Sequence, residues 1–344
     1  MAISEEQIQQ IRDELESCKN PLFLFDDDQD GICSYLQLYR LKGEGKGVIV
    51  KTTPKIGTVF LNKVIEHRPD KIFILDISDV EQEFIDEAKV PIVWIDHHGP
   101  YKRHNIKYFN PRVSKWEDNH PTSYMCWQVA QKDIWIAALG CVADWFMPDF
   151  LEDFRKQYPD LIDKDYKKPG DIIYNTKLGE LIKMVSFMLK GATSDVNKCI
   201  KAMSRIKHPN EILNQESEEG RMIYKKYTEV NKIYDPLIKE VRETAEKSKG
   251  KIILFKYKDD KTSFTSDLSN ELIYRHPDKI VIIAREKNEE MKCSLRSAKI
   301  NLKPIVEKCL VGLNGYGGGH EYACGLNLKK HDFEEFLRRF EEML

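Results

Sequence analysis

Between residues 26 and 31 the chain reads DDDQDG, placing Asp26, Asp27, Asp28 and Asp30 in five positions, directly after the apolar run PLFLF (21–25) and directly before Gly31. Carboxylates close other apolar runs as well: Asp76 ends FILD, Asp96 with His97 and His98 ends VWIDHH, and Asp144 follows the apolar segment 134–143. Gathered in one place, that many carboxylates repel one another, and at least one takes up a proton unless a cation sits among them. Oxygen donors joined by one or two imidazoles suit Mn²⁺ or Mg²⁺, whereas the lack of paired cysteines speaks against a structural zinc. Six or more ligands suggest two ions, and two ions sharing a carboxylate are equipped to attack a phosphorus centre.

Each stretch alone has a plainer reading. DDDQDG suits a solvated turn, Asp76 suits a helix N-cap, and Asp79 suits better the cap of a helix beginning near Val80. His97 and His98 singly would be ordinary core or surface histidines. A calcium loop fails: Asp26, Asp28, Asp30 and Gly31 match the opening of an EF-hand, but the twelfth position is Gln37 and a strand precedes the motif. Only the recurrence of acids at the ends of apolar runs favours a metal site.

The elements needed to bring these acids together are visible in the first half. PLFLF, GVIV (47–50), KIFILDI (71–77) and PIVWIDH (91–97) read as strands, and the segments between them carry helical spacing. Near-continuous apolar strands linked by helices predict a doubly wound, mainly parallel α/β sheet with both faces covered, and ligands gather at the carboxyl ends of such strands. Segment 134–143 is apolar throughout and fits a strand or a buried helix. In the C-terminal part, KIILFKY (251–257), KIVIIAR (279–285) and MKCSLRS (291–297) predict a smaller mixed sheet with flanking helices, closed by FEEFLRRFEEML. Residues 1–150 thus read as a catalytic domain, 151–249 as a charged helical connector, and 250–344 as a second, substrate-binding domain.

Composition sets outer limits. The chain has 344 residues, 41% of them hydrophobic, long enough for two ordinary domains. With 54 Lys+Arg against 56 Asp+Glu, a net charge of −2 gives no global pull toward nucleic acid or membrane, so any basic surface is local. Eight cysteines without a CxxC pair read as reduced thiols. The start, MAISEEQIQQIRDELESC, reads as an acidic amphipathic helix rather than a leader, and no apolar stretch has the length of a membrane span, so a cytoplasmic protein is expected.

Taken together, DDDQDG (26–31), LDIS (75–78), IDHHGP (95–100) and GCVADW (140–145) resemble the four motifs of the DHH phosphoesterases, and the Asp-x-Asp-x-Asp-Gly form is similar to the RecJ-type exonucleases. CSLRSAKINLKPIV followed by GLNGYGGGHEYACG resembles the DHH-associated domain. The resemblance implies that Asp26, Asp28 and Asp76 hold one metal and Asp30, Asp76, His97 and Asp144 the other, with Asp76 bridging and a hydroxide between the ions as nucleophile. Many relatives have His where Asp26 stands, and the extra carboxylate favours Mn²⁺ or Mg²⁺. By the same resemblance His98 contacts the scissile phosphate and Asp96 fixes the ring of His97 or His98, while Ser294, Arg296, Gly317, Gly318, Gly319 and His320 grip the terminal group of the substrate. Independently, glycines in GYGGGH leave backbone N–H groups open to a phosphate, as in a glycine-rich turn.

The implied activity is a single-strand exonuclease releasing nucleoside monophosphates from DNA or RNA. The rivals are a nanoRNase with 3′-phosphoadenosine 5′-phosphate phosphatase activity, a cyclic dinucleotide phosphodiesterase and, outside enzymes, a replisome scaffold related to RecJ. Expected partners are single-stranded nucleic acid or short oligonucleotides, with replication or repair proteins beside them, and no membrane. Residues 101–123, carrying Arg103, Arg112, Lys115 and Trp116, read as a loop suited either to substrate contact or to packing, and His104 and His120 as ordinary loop residues. Tyr224, Tyr227 and Tyr234 read as a half-buried helix face.

Overall fold

Strands that are apolar at every position, rather than at every second one, are stable only where helices cover both faces of their sheet. A computed structural model describes residues 2–51, 55–259 and 262–344. The chain forms two compact units, residues up to Tyr227 and Thr228–Leu344.

The first unit opens with α1 (Glu5–Ser17), β1 (Pro21–Asp26), α2 (Gln29–Lys42), β2 (Lys46–Val50), β3 (Lys55–Ile56), α3 (Leu61–His67), β4 (Lys71–Leu75), β5 (Asp79–Val80) and α4 (Gln82–Ala88). β6 (Ile92–Ile95), β7 (Lys107–Phe109), α5 (Thr122–Ala130) and α6 (Ile134–Ala143) follow. Five strands make one parallel sheet in the order β2-β1-β4-β6-β7. β1 pairs with β2 on one side and β4 on the other, so the direction of winding reverses there; in doubly wound sheets the ligand crevice opens at that point, outside the strands' carboxyl ends.

Side-chain alternation divides the strands between two cores. Phe23, Phe25, Phe73, Leu75, Val93 and Ile95 face one, and Leu22, Leu24, Ile72, Ile74, Ile92 and Trp94 the other. The first core also takes in α6, so segment 134–143 is a buried helix, with Trp135 through Val142 shielded, and not a strand. A helix apolar all round can only lie inside.

Two local expectations are corrected. The helix after Asp79 begins at Gln82, behind the short strand β5, and Asp79 is not its cap: β5 pairs with β3, and Asp79 binds the Arg103 guanidinium (2.8 Å). Residues 101–123 are not one loop, because Lys107–Phe109 add β7 to the sheet edge and Pro111–Val113 form a short 3₁₀ turn.

Segment 151–249 carries α7 (Leu151–Gln157), α8 (Pro169–Asn175), α9 (Lys177–Met188), α10 (Thr193–Met203), α11 (Asn210–Leu213) and the 30-residue α12 (Glu218–Lys247). Phe154, Leu178, Leu181, Val185 and Met203 from these helices join the first unit's core.

The second unit holds β8 (Ile252–Lys258), α13 (Thr265–Arg275), β9 (Ile280–Lys287), β10 (Glu290–Ser297), α14 (Lys303–Cys309), β11 (Gly315–His320), β12 (Ala323–Lys329) and α15 (Phe333–Glu342). Its sheet runs β11-β12-β10-β9-β8, parallel between β8 and β9 and antiparallel elsewhere, and its core faces α14 and α15. The glycine-rich stretch expected as a turn is the edge strand β11; the turn lies beyond it, at 321–322. Among the described residues no helix is long and apolar enough to cross a membrane.

Candidate metal centre

The strand ends deliver the acids. Asp26 is the last residue of β1, while Asp76 and Asp96 each stand one position past β4 and β6. Ladder-like bonds hold the two overhanging residues, Asp76 N donating to Ile95 O (2.9 Å) and Asp96 N to Phe109 O (3.1 Å). Asp76 sits at φ 61°, a left-handed conformation that Asp tolerates better than most residues. Behind it the Trp94 indole N–H donates to Ile77 O (2.8 Å), pinning the turn.

DDDQDG straddles the end of β1 and the start of α2. Asp28 is the N-cap of α2, accepting from Gly31 N (2.9 Å), and Asp30 lies in the first turn. A Cβ at Gly31 would fall 2.6 Å from Asp26 O, so only glycine lets the helix begin this close to the strand. Asp144 closes α6 from the other side.

Three groups of donors converge, with ligand atoms within 4.8 Å of one another in each: Asp26, Asp28 and Asp76; Asp30, His97 and Asp144; and Asp76, His97 and His98. His97 Nε2 lies 3.4 Å from Asp76 Oδ1, 3.8 Å from Asp144 Oδ2 and 4.0 Å from Asp30 Oδ2. Asp96, wholly buried, meets His98: its Oδ1 is 2.7 Å from His98 Nδ1, and its Oδ2 accepts from the His98 backbone N–H (3.1 Å).

The charge pattern follows from this crowding. Burial, then the neighbouring acids, pushes the Asp26, Asp76 and Asp144 carboxyls well above the usual carboxylate range, although a third of the Asp144 side chain is open to solvent. Asp30 rises to about 6 for the same reasons, restrained by the amides that bind it. His98 moves oppositely to what burial demands: the Asp96 carboxylate beside it overrides desolvation and lifts the imidazole to about 9.

Further residues belong to this centre. Thr122 N and Ser123 N, opening α5, donate to the two oxygens of Asp30 (2.8 Å each), and Thr122 Oγ1 donates to Asp76 Oδ1 (3.1 Å). Asn110 Nδ2 donates to Asp96 Oδ2 (3.2 Å) and His98 O (2.9 Å), while its Oδ1 accepts from Arg112 N (2.8 Å). A Pro-Thr-Ser helix start is legible at 121–123, but not its partners 92 and 93 positions away.

In the second unit the register places His320, Ala323 and Arg296 in one row across β11, β12 and β10, with Gly318, Gly325 and Ser294 in another. A Cβ at Gly318 would meet nothing within 4 Å, whereas one at Gly317 would press on Leu326 Cβ (2.7 Å). Gly319 needs its φ of 138° and lies so close to Ala323 O that a Cβ would stand 2.4 Å away. Arg296 Nε donates to Asn270 Oδ1 (2.6 Å), and Ser294 Oγ to Thr265 Oγ1 (2.9 Å).

The profile of the DHH family, N-terminal domain, matches residues 23–162, and that of the DHHA1 domain matches residues 241–344. The chain belongs to the DHH superfamily and carries a C-terminal DHHA1 domain. DHH family members are phosphoesterases. A sequence search of curated proteins finds no match.

Among solved structures, this DHH protein is similar to RecJ from Thermus thermophilus in complex with Mn²⁺ (TM-score 0.68, 13% identity), over 100% of this chain and 55% of that one. It thus spans about half the length of that RecJ. It is also similar to an exonuclease RecJ bound to manganese (TM-score 0.61, 16% identity, 100% of this chain and 95% of that one). A third is the DHH domain of a member of a family of ribosomal proteins (TM-score 0.70, 14% identity, 98% and 89%). At such identities the likeness concerns the fold.

The DHH centre fits divalent ions on its own chemistry. Carboxylates driven toward their protonated forms by burial and by one another make an oxygen-rich donor set for a hard cation, and two of the three donor groups include Asp76 while the third reaches it through His97.

Proposed function

We propose that this protein is a two-metal phosphodiesterase acting as a single-strand exonuclease, releasing nucleoside monophosphates from the ends of DNA or RNA. The reading is carried by one observation: Asp76 stands within ligand reach of Asp26 and Asp28 on one side and of His97, beside Asp30 and Asp144, on the other. Asp26, Asp28 and Asp76 would hold one ion and Asp30, Asp76, His97 and Asp144 the second, Mn²⁺ by preference with Mg²⁺ as the alternative. Such a pair lowers the pKa of a bound water and neutralises charge on phosphoryl oxygens.

The chain's own groups supply the rest. His98, kept cationic by Asp96 up to about pH 9, donates a charge-assisted hydrogen bond to a phosphate oxygen. Asp96 orients that ring, and Asn110 orients Asp96. In the DHHA1 domain, the bare backbone of Gly317, Gly318 and Gly319 with Ser294, Arg296 and His320 receives the terminal group, which makes the activity exonucleolytic. Replication or repair proteins are the partners expected beside such a strand.

The test is digestion of single-stranded DNA and RNA, labelled at the 5′ or the 3′ end, with Mn²⁺. Stepwise monophosphate release, abolished by Asp76→Asn, supports the reading. Turnover of dinucleotides or cyclic dinucleotides alone moves the protein to those activities, and no metal-dependent hydrolysis of any phosphoester leaves a scaffold.

A further inference from the structure

Asn110 does more than steady Asp96. By accepting from Arg112 N while donating to Asp96 Oδ2 and His98 O, it ties the 3₁₀ turn at 111–113 to the Asp96–His98 pair. Arg112 is close enough to Asp144 for its positive charge to act on that carboxyl, and its Nε, although buried, has no hydrogen-bond partner. The guanidinium carbon lies 5.9 Å from the ring centre of Trp116. That residue is 59% exposed, and its ring edge lies beside the residue after His98: a Cβ at Gly99 would stand 3.8 Å from it. A cation with an unused donor and an open aromatic face therefore flank the carboxylate cluster on the side of β7.

We propose that Arg112 and Trp116 form a nucleotide subsite, the guanidinium binding a phosphate oxygen and the indole stacking on the adjoining base. The proposal rests on the phosphodiesterase reading and deepens it, since it makes a base-bearing nucleotide the substrate unit in place of pyrophosphate or a sugar phosphate. Arginine forks suit phosphate geometry, and an indole stacks on any base, so the subsite is tolerant of sequence.

The experiment is calorimetric titration of the full chain in Mn²⁺ with two probes, deoxyadenosine monophosphate and 2-deoxyribose 5-phosphate, with thermal midpoints recorded for every variant. Trp116→Ala should weaken the nucleotide about tenfold and leave the sugar phosphate unchanged, the scale expected of one lost base stack. Arg112→Ala should weaken both probes alike, and Arg112→Lys, which keeps the charge without the fork, should fall between. The subsite is overturned if the wild type binds neither probe, if Trp116→Ala weakens both equally or neither, or if Arg112→Ala changes nothing at an unaltered midpoint. Binding is read without turnover, so the two ideas fail separately. Base-dependent loss without hydrolysis of any diester keeps the subsite and removes the nuclease; hydrolysis with wild-type binding in both variants does the reverse.

Discussion

Asp76 carries two burdens, a left-handed backbone and a position between two sets of donors. Asparagine tolerates that backbone and nearly matches the shape, so Asp76→Asn should fold and yet lose more activity than the about 10–100-fold that an outer hydrogen-bond partner contributes. Calorimetry should show weakened Mn²⁺ binding with a metal-free stability at neutral pH no lower than that of the wild type, because the amide carries none of the charge that burial opposes; full binding by this variant would show that Asp76 is no ligand. Thr122 is such an outer partner: Thr122→Val should weaken Mn²⁺ by about 10–100-fold and Thr122→Ser restore it, because only the hydroxyl reaches Asp76. At this scale the sequence exposed the donors and hid their supports. Carboxylates and imidazoles announce chemistry by type, whereas Asn110, Thr122 and Ser123 act through hydrogen bonds to acids 14, 46, 92 and 93 positions distant, which no spacing encodes.

Elements were legible where periodicity was unambiguous. β1, β4 and β6 are short, apolar and followed by acids, and their burial on both faces is the reason. What remained hidden was pairing. Three residues at 107–109 become a strand only because the β6 edge offers them partners, and GYGGGH gives no sign that it lies extended along β12, since glycine lacks the side chain from which alternation is read. The tight joint between β1 and α2 gives a test at this scale. Gly31→Ala would place a methyl group against the Asp26 backbone, so it should displace the start of α2, with a fall in thermal midpoint and in Mn²⁺ affinity together. Phe73→Ala, between the strands and one helical layer, should instead cost about 3–5 kcal/mol of stability by chemical denaturation while the remaining molecules bind metal normally.

For the molecule as a whole, the acidic centre links stability to pH and metal. Asp26, Asp30, Asp76 and Asp144 hold protons more tightly folded than unfolded, so without metal their favourable contribution is complete only below the ordinary carboxylate range and is lost as pH rises through the folded values, about 6 for Asp30. His98 adds a loss of the same sign as pH approaches 9. Divalent ions compete with those protons, so the rise in thermal midpoint from EDTA to Mn²⁺ should be larger near pH 8 than near pH 5; an equal rise at both would mean that the ions bind elsewhere. Burial, by contrast, holds the thiols of Cys33, Cys126, Cys141 and Cys293 well above their ordinary range. All eight cysteines are buried, Cys18 with its thiol lifted to about 12 by burial and Asp70. Maleimides should therefore leave the native protein untouched, and a lone cysteine installed at an outlying position such as Ile65, 75% exposed, would take a spin label or dye quantitatively with every natural thiol still in place.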